Sequence, residues 1–308
     1  MDINRGNMTT LFTAYNQAFK DGFAMGNVDF REFTTEIPSS TKIIEFPFLE
    51  QLSGMREWLG PRQKKNVSSR KLTVTARKFE DTVGIPVDDV RDDQYGLYTP
   101  IVKQMGVNVG NLPGALSFAA LVGNATWLDG VAFFSTAGRN YDGTNAIANY
   151  GTAALTATLY GTTYAAMMGW LGHGGKALNV KPNLLVVGPK LMATAKAIVE
   201  SPVVASTGLT GESTYVYGVT IPNPWYNSAK LMVSTELVGT YDDYWFLMDT
   251  RGVVKPVIYI NRETGVLTTR DSIGDDNVFF DDEIVYGAKA RGEAALAFPH
   301  LIYAGYVA

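Results

Sequence analysis

The feature that most constrains this chain is a long, charge-segregated stretch at residues 45–105, which forms an arm with little core of its own beneath it. Within it, residues 70–79 (RKLTVTARKF) alternate apolar and polar side chains, which predicts a half-exposed strand. Residues 46–49 are a shorter apolar run that could pair with it as an antiparallel partner. The connection between the two is long for a compact domain, and such loops are usually functional or disordered. We therefore expect an extended arm that needs another chain to lie on.

The charges of this stretch are separated by sign. Between residues 56 and 78 the only acid is Glu57, and the bases are Arg56, Arg62, Lys64, Lys65, Arg70, Lys71, Arg77 and Lys78. Between residues 80 and 93 the only base is Arg91, and we expect an acidic turn there between the strand and the next helix; the acids are Glu80, Asp81, Asp88, Asp89, Asp92 and Asp93. Three interpretations are open. The segment is a solvated loop next to a helix entrance that favours acids, a basic arm that docks on an acidic surface of a neighbouring copy, or a phosphate-binding patch for nucleic acid.

Five short motifs follow one another along the chain. They are residues 56–62 (REWLGPR), 79–85 (FEDTVGI), 92–100 (DDQYGLYTP), 129–134 (DGVAFF) and 286–292 (YGAKARG). In this order they resemble the elements LREWxGxR, FExTVxI, DDxxGxYxP, DGxxFF and YGxxaRG of Mu-type phage major head proteins. The resemblance covers most of the chain and is densest at residues 56–134. The family often continues DGxxFF with a His-Pro pair, whereas this chain has Ser135-Thr136-Ala137, so we expect a different loop there.

The resemblance implies an α+β capsid fold of the Hong-Kong-97 type with four parts. These are an N-terminal arm (1–37), an extended loop or β-hairpin arm (38–80), a peripheral domain with a long spine helix (81–150 and 251–308) and an axial domain (151–250). The implied function is that of a major capsid protein that self-assembles into the icosahedral head of a tailed double-stranded DNA phage or prophage. A shell of encapsulin-type nanocompartments, which has the same fold, is the alternative.

The resemblance and the charge pattern together suggest which residues join one copy to the next. We expect the intersubunit contacts to include Trp58, Leu59, Arg62, Lys64, Lys65, Arg70, Lys71, Asp88, Asp89, Asp92 and Asp93. The implied partners are other copies in pentamers and hexamers, portal and scaffold or maturation proteins, and packaged DNA held by non-specific contact. The expected location is the virion, after assembly in the cytoplasm of the bacterial host, with no membrane involved.

Composition excludes several classes of protein. The formal net charge of −4 argues against an overall DNA-binding protein, although not against a basic patch. The absence of cysteine excludes disulfides and thiolate metal sites. The N-terminus has no apolar segment typical of a signal peptide. Residues 112–128 are apolar, but proline and glycine make them a poor membrane span.

Helices are predicted mainly in the first half of the chain. Leu11, Tyr15, Phe19 and Phe23 recur every four residues and predict an amphipathic helix, which packs either on its own core or, as the resemblance implies, on a neighbouring subunit. A second helix is predicted with Thr99 as its N-cap and Pro100 at its first position. Residues 110–113 interrupt it and predict two helical pieces or one kinked helix, which the resemblance identifies as the spine helix.

The second half is richer in strands. Residues 152–168 and 189–199 are predicted to be helical, with a buried strand at 184–187 between them. The further predicted strands are 219–221, 231–234, 244–248, 253–260, 266–270, 278–280 and 284–290. Because helices and strands come in separate blocks, α+β is the expected class.

Nothing in the sequence predicts catalysis. The two histidines, His173 and His300, are far apart, and a lone histidine is more often structural than catalytic. The glycine cluster at residues 169–176 lacks the serine or threonine of a phosphate-binding loop and is interpreted as a capped helix end. The acids at 88–93 and 275–283 lack calcium-loop spacing. We predict no enzyme, no cofactor and no metal, with an α+β enzyme or binding module as the alternative.

Overall fold

The computed structural model describes residues 5–47, 71–92, 96–136, 139–140, 146–172, 175–205, 220–271 and 275–306. The α-helices in these ranges are α1 (Arg5–Ala24), α2 (Val87–Asp92), α3 (Thr99–Gly123), α4 (Ala157–Met168), α5 (Met192–Val199) and α6 (Asp276–Phe280). The strands are β1 (Thr34–Pro38), β2 (Ile43–Pro47), β3 (Lys71–Thr75), β4 (Arg77–Pro86), β5 (Arg139–Asn140), β6 (Ala146–Ile147), β7 (Tyr150–Gly151), β8 (Leu184–Val187), β9 (Val203–Ala205), β10 (Thr220–Pro222), β11 (Lys230–Val233), β12 (Trp245–Met248), β13 (Val257–Arg270), β14 (Glu283–Leu296) and β15 (Ile302–Gly305).

The strands form two main sheets. The first has the order β1-β13-β14-β4 and is built around the long antiparallel pair β13–β14. The second has the order β11-β8-β12-β15-β7, and β8 and β12 are buried along their whole length. Three two-stranded pairs, β2–β3, β5–β6 and β9–β10, complete the strands of the described residues. Helices and strands remain in separate blocks, as predicted for an α+β protein.

The N-terminal helix packs on the core of its own chain. Tyr15 and Phe19 of α1 are buried, and the Tyr15 ring meets the ring of Tyr286 on β14 edge to face at 5.1 Å. Backbones of α1 and α3 come so close that a Cβ on Gly106 would lie 2.1 Å from the carbonyl oxygen of Phe19. The intrachain alternative for this helix is therefore present, and a contact of residues 1–37 with a neighbouring subunit stays a prediction.

Of the two arrangements predicted for residues 110–113, helix α3 excludes the two separate helical pieces. A single helix runs through this segment, and its interior proline, Pro113, accepts a hydrogen bond from Ser117 Oγ (2.8 Å). Packing on α1 outweighs the local tendency to break the helix. Thr99 is already the first helical residue, with Tyr98 in the capping position, so the predicted cap is displaced by one residue.

Helix α3 also has the length and the apolar composition that would allow a helix to cross a membrane. Its apolar side chains pack on α1 and on β13 and β14, and Val102, Met105 and Leu121 are almost completely buried. This is how the core helix of a folded domain behaves. Length and composition alone therefore give weak support for a membrane span.

The β13–β14 region corrects two predictions. The strands expected at 253–260 and 266–270 are one strand that begins at Val257 and contains irregular register between Asn261 and Val266. Glu80 and Asp81, expected in a turn, lie inside β4, because β14 supplies a hydrogen-bonding partner as far as Glu283. Charged residues are common on such an edge strand.

The segment 278–280, expected as a strand, is the end of helix α6. Amide groups of Val278 and Phe279 donate to the carbonyl oxygen of Asp275 (3.1 and 3.0 Å), which closes a helical turn. The turn connects two antiparallel strands and therefore has no strand beside it with which to pair.

Candidate assembly surface

The root of the extended loop is the antiparallel hairpin β2–β3, in agreement with the predicted pairing. Val74 and Ala76 are buried as the alternation predicted, and Val74 packs against Ile258 and Ile260 of β13. Lys71 is exposed at the beginning of β3, where its Nζ lies 2.6 Å from Oε2 of Glu45. The predicted contact residues between these strands are outside the described residues; they are Trp58, Leu59, Arg62, Lys64, Lys65 and Arg70.

The predicted acidic contacts lie on helix α2, directly after β4. Asp88 and Asp89 are exposed in its first turn, and Asp92 is exposed at its end. The Tyr98 hydroxyl donates a hydrogen bond to Oδ2 of Asp89 (2.8 Å), which ties α2 to the start of α3. Asp93 is outside the described residues.

A second acidic segment, distant in sequence, lies beside α2. The amide of Val87 donates to the carbonyl oxygen of Asp282 (2.9 Å), and Pro86 pairs with Glu283 across the β4–β14 ladder. Both segments therefore occupy the same end of the first sheet. We call this region the acidic end; its carboxylates are Asp88, Asp89, Asp92, Asp275, Asp276, Asp281, Asp282 and Glu283. Arg270, exposed at the end of β13, is a basic residue at the same end.

The acidic end carries an apolar feature that sequence reasoning missed. Phe279 and Phe280 are 75% and 76% exposed, and their rings meet edge to face with centroids 5.0 Å apart. Asn277 fixes the helix beneath them, because its Nδ2 donates to the carbonyl oxygens of Arg270 (3.0 Å) and Glu283 (2.6 Å). The adjacent Val278 packs towards the core. The signal in the sequence is an aromatic pair with acids on both sides, DDNVFFDDE.

An open groove runs between α3 and the edge of the first sheet. Its volume is about 350 Å³, its apolar wall includes Phe79, Val109 and Leu112, and Glu80 and Asp81 line it as well. The Arg77 side chain at the start of β4 lies over the Phe79 ring (5.3 Å) and is held by Glu293 on β14, with Nη2 and Oε1 3.1 Å apart. Hydrogen bonding to Glu293 raises the pKa of Arg77. Arg77, one of the bases between residues 56 and 78, is therefore paired with a carboxylate of its own chain.

The motif DGVAFF (129–134) lies in a loop around one buried cation, Arg139. Arg139 Nε lies 2.7 Å from Oδ2 of Asp129, and its Nη1 and Nη2 donate to the carbonyl oxygens of Phe133 (2.7 Å) and Ala132 (2.8 Å). The guanidinium carbon lies 4.9 Å from the ring centre of Trp127. The motif therefore holds the segment after α3 in place. The motifs at 79–85 and 286–292 are the paired strands β4 and β14.

The described part of the glycine cluster at residues 169–176 is a helix end followed by a turn. Gly169 caps α4 as predicted, its amide donating to the carbonyl oxygen of Ala165 (3.0 Å). The chain then turns back, since Leu178 donates to Trp170 (3.0 Å) and Gly172 to Lys176 (2.7 Å). His173 is outside the described residues. Within the described ranges no group of three or more metal-ligating side chains comes together.

His300 is buried beside the second sheet, near Phe298 and Asp249. Burial lowers its pKa to about 4, although the charge of Asp249 acts in the opposite direction. Burial also opposes ionisation of Asp249, but hydrogen bonds from Arg251 and from the Lys181 and Arg251 amides outweigh it and lower the pKa of Asp249. The pair is a structural element of the core, with a neutral imidazole at pH 7.

We expect the unassembled protein to lose about 3 kcal/mol of unfolding free energy between pH 6.5 and 4 through His300. The unfolded chain takes up the proton near pH 6.5, whereas the folded chain does so only near pH 4, so stability falls as the pH falls through this window. His300→Gln should flatten this slope in urea titrations at a series of pH values. Asp249 titrates below the window because its pKa is lowered. An unchanged slope in the variant would assign the effect to other groups.

Comparison with known proteins gives matches over nearly the whole chain. The family model described as "Mu-like prophage major head subunit gpT" matches residues 8–153, 143–237 and 224–306. The Mu-like prophage FluMu major head subunit of Haemophilus influenzae is 24% identical over 299 residues, which are 96% of this chain and 71% of that protein. The major capsid protein of Escherichia phage Mu is 23% identical over 300 residues, which are 97% of this chain and 73% of that protein.

Solved structures of capsid shells have the same fold. The chain in the procapsid of bacteriophage JBD30 aligns with a TM-score of 0.58 at 23% identity, over 99% of this chain and 76% of that chain. A virus-like particle from Pyrococcus furiosus aligns with a TM-score of 0.54 at 9% identity, over 94% of this chain and 97% of that chain. At these identities the likeness concerns the fold, which is the predicted capsid fold of the Hong-Kong-97 type.

Proposed function

The chain belongs to the family of Mu-like prophage major head subunits and is a major capsid protein, and we propose that charge pairing between its extended loop and the acidic end of the next copy assembles the shell. Many copies form the capsid of the virion. The single observation that carries the proposal is the position of the loop root and the acidic end at opposite ends of the first sheet. The family model and the curated relatives are head or capsid proteins of Mu-like phages, so they do not favour the nanocompartment alternative.

The geometry favours pairing between copies over pairing within one copy. Strand β14 runs from Glu283 at the acidic end to Leu296, beside Ala297, which packs against Val74 of β3. Fourteen residues of strand span about 40 Å. Residues 48–70 leave from β2 and return to β3, and a doubled-back chain of this length reaches at most about 40 Å. The extended loop would have to be fully stretched along its own sheet to reach the acidic end of its own copy. In a head-to-tail ring of copies, the acidic end of the neighbouring copy can lie next to the loop instead.

We expect Lys64→Glu with Lys65→Glu to block shell assembly or to shift it to a different salt range. The substitutions replace attraction to the acidic end by repulsion, and exposed charges are screened within about 8 Å at physiological salt. Light scattering and negative-stain imaging across a salt series measure the result. Lys181→Glu with Lys196→Glu is the matched control, because it changes the net charge equally at exposed positions outside the predicted contact segments.

A charge swap identifies the partner of the loop. Asp88→Lys with Asp92→Lys, added to the Lys64→Glu, Lys65→Glu protein, should restore assembly because both exposed side chains then attract the reversed loop. Asp89 is left unchanged because the Tyr98 hydroxyl donates a hydrogen bond to it. If the Lys64→Glu, Lys65→Glu protein assembles like the wild type, the proposal is wrong. If the Asp88→Lys, Asp92→Lys substitutions do not restore assembly, the loop must pair with other acids.

We also propose that the shell encloses double-stranded DNA through non-specific contact, and that it assembles in the cytoplasm of a bacterial host with portal and scaffold or maturation proteins. Family membership supports these partners. Shells made from the chain alone should lack nuclease-protected DNA, and particles made with the other head proteins should contain it. Protein cargo in place of DNA in the second sample would favour the nanocompartment alternative instead. No step of this function requires catalysis by the chain.

A further inference from the structure

We propose that Phe279 and Phe280 are the apolar anchor of an interface between copies, and that the segment they receive is the extended loop of a second copy around Trp58 and Leu59. This inference rests on the proposed function and adds an apolar contact to its charge pairing. It starts from the exposure of the two phenylalanine rings, at 75% and 76%. Large aromatic side chains are over-represented at the centres of protein interfaces.

The fold presents this pair and does not bury it. Helix α6 is held to both strands by Asn277 and turns Val278 inward, so the two following side chains face solvent. A turn between two antiparallel strands has no structural need for two adjacent phenylalanines, since polar residues and glycine satisfy such turns. The other large exposed apolar residues of the described chain are mostly single, whereas these two form one contact with centroids 5.0 Å apart.

The negative charge around Phe279 and Phe280 indicates which kind of segment binds there. Between Asp275 and Glu283 the sequence contains five acids and no base, and α2 adds Asp88, Asp89 and Asp92 to the same surface. Like charge opposes the association of two such ends. A segment that binds this surface should therefore combine apolar side chains, which contact the phenylalanine rings, with basic side chains, which pair with the acids. Residues 56–71 have this composition, because Trp58 and Leu59 stand among six bases and one acid.

The first test removes the Phe279 and Phe280 rings and measures both the stability of the unassembled protein and shell formation. Phe279→Ser with Phe280→Ser should leave the urea midpoint of the unassembled protein unchanged, because both side chains are exposed, and should raise the protein concentration needed for shell formation at least tenfold. The matched control is Val253→Ser with Val266→Ser, which removes two side chains that are 99% and 56% exposed. Shell formation by the phenylalanine variant at the wild-type concentration would overturn the inference.

The second test identifies the occupant by disulfide formation. The chain contains no cysteine, so each introduced thiol is unique. Copies with Phe280→Cys are mixed with copies with Leu59→Cys, assembled and oxidised, and we expect a covalent dimer of the two variants on a non-reducing gel. Copies with Val253→Cys replace the Phe280→Cys copies as the control and should give at least tenfold less dimer.

The outcomes separate this inference from the proposed function. Dimers of Phe280→Cys copies alone would indicate contact between two acidic ends and would overturn the choice of occupant. Assembled shells that form no disulfide with Leu59→Cys would overturn it as well, while leaving the shell function intact. A wild-type chain that forms no shell together with the other head proteins would instead contradict the proposed function.

Discussion

Replacing Gly106 of helix α3 by valine is expected to lower the unfolding free energy of the unassembled protein by about 4 kcal/mol. A Cβ at this position would lie 2.1 Å from the carbonyl oxygen of Phe19 and 2.9 Å from the amide nitrogen of Phe23, both in the backbone of α1. Backbone atoms cannot move aside as a flexible side chain can. The whole of α1 would therefore have to shift, which also separates Tyr15 from Tyr286. Urea unfolding followed by circular dichroism measures the loss.

The same helix provides the controls for this prediction. Gly123 has no atom within 4 Å of its Cβ position, and Gly123→Val should change stability by less than about 0.5 kcal/mol. The Gly114 position meets only Phe30, at 3.6 Å, an ordinary contact, so Gly114→Ala should gain up to about 1 kcal/mol from helix propensity. Equal losses at all three positions would mean that helix geometry, and not the contact between α1 and α3, sets the stability.

This contact also explains which parts of the fold the sequence could predict. The stripe of Tyr15 and Phe19 gave the buried face of α1, and the alternation of residues 70–79 gave the side of β3 that packs on β13. The sequence could not decide between one helix and two pieces for α3, because Gly110 and Pro113 break helices locally and are accommodated here by a partner helix distant in sequence. The one-residue shift at Thr99 lies within the usual uncertainty of helix ends.

Strand pairing was harder to predict for the same reason. Glu80 and Asp81 look like turn residues, but β14 lies beside them, and a ladder partner two hundred residues away leaves no local signal. The acids on α2 were expected at an interface from the charge pattern and the family resemblance. Their position beside Asp281 and Asp282 follows from the β4–β14 pairing, so the acidic end and its phenylalanine pair emerge only in three dimensions.

Arg139→Met is expected to lower the unfolding free energy of the unassembled protein by about 4 kcal/mol. The side chain is 6% exposed, and its loss leaves the carboxylate of Asp129 without its ion-pair partner and the carbonyl oxygens of Ala132 and Phe133 without their guanidinium donors. Methionine keeps the length of the stem, so the measured loss reports the charge and its hydrogen bonds. Arg139→Lys should recover only part of the loss, because an ammonium cannot reproduce the three-way fork.

Two further variants show whether burial sets the size of this effect. Arg31 is 59% exposed and pairs with Glu36 at 3.4 Å, so Arg31→Met should cost less than about 1 kcal/mol. Asp129→Asn in the Arg139→Met protein removes the orphaned carboxylate and should restore a measurable part of the stability. A loss at Arg139 no larger than that at Arg31 would contradict the argument, since the guanidinium would then be as well hydrated in the loop after α3 as on the surface. The DGVAFF motif would in that case be held by its other contacts, which are the edge-to-face packing of Phe133 on Trp127 and of Phe134 on Tyr306 and the hydrogen bonds between Phe134 and Asn124.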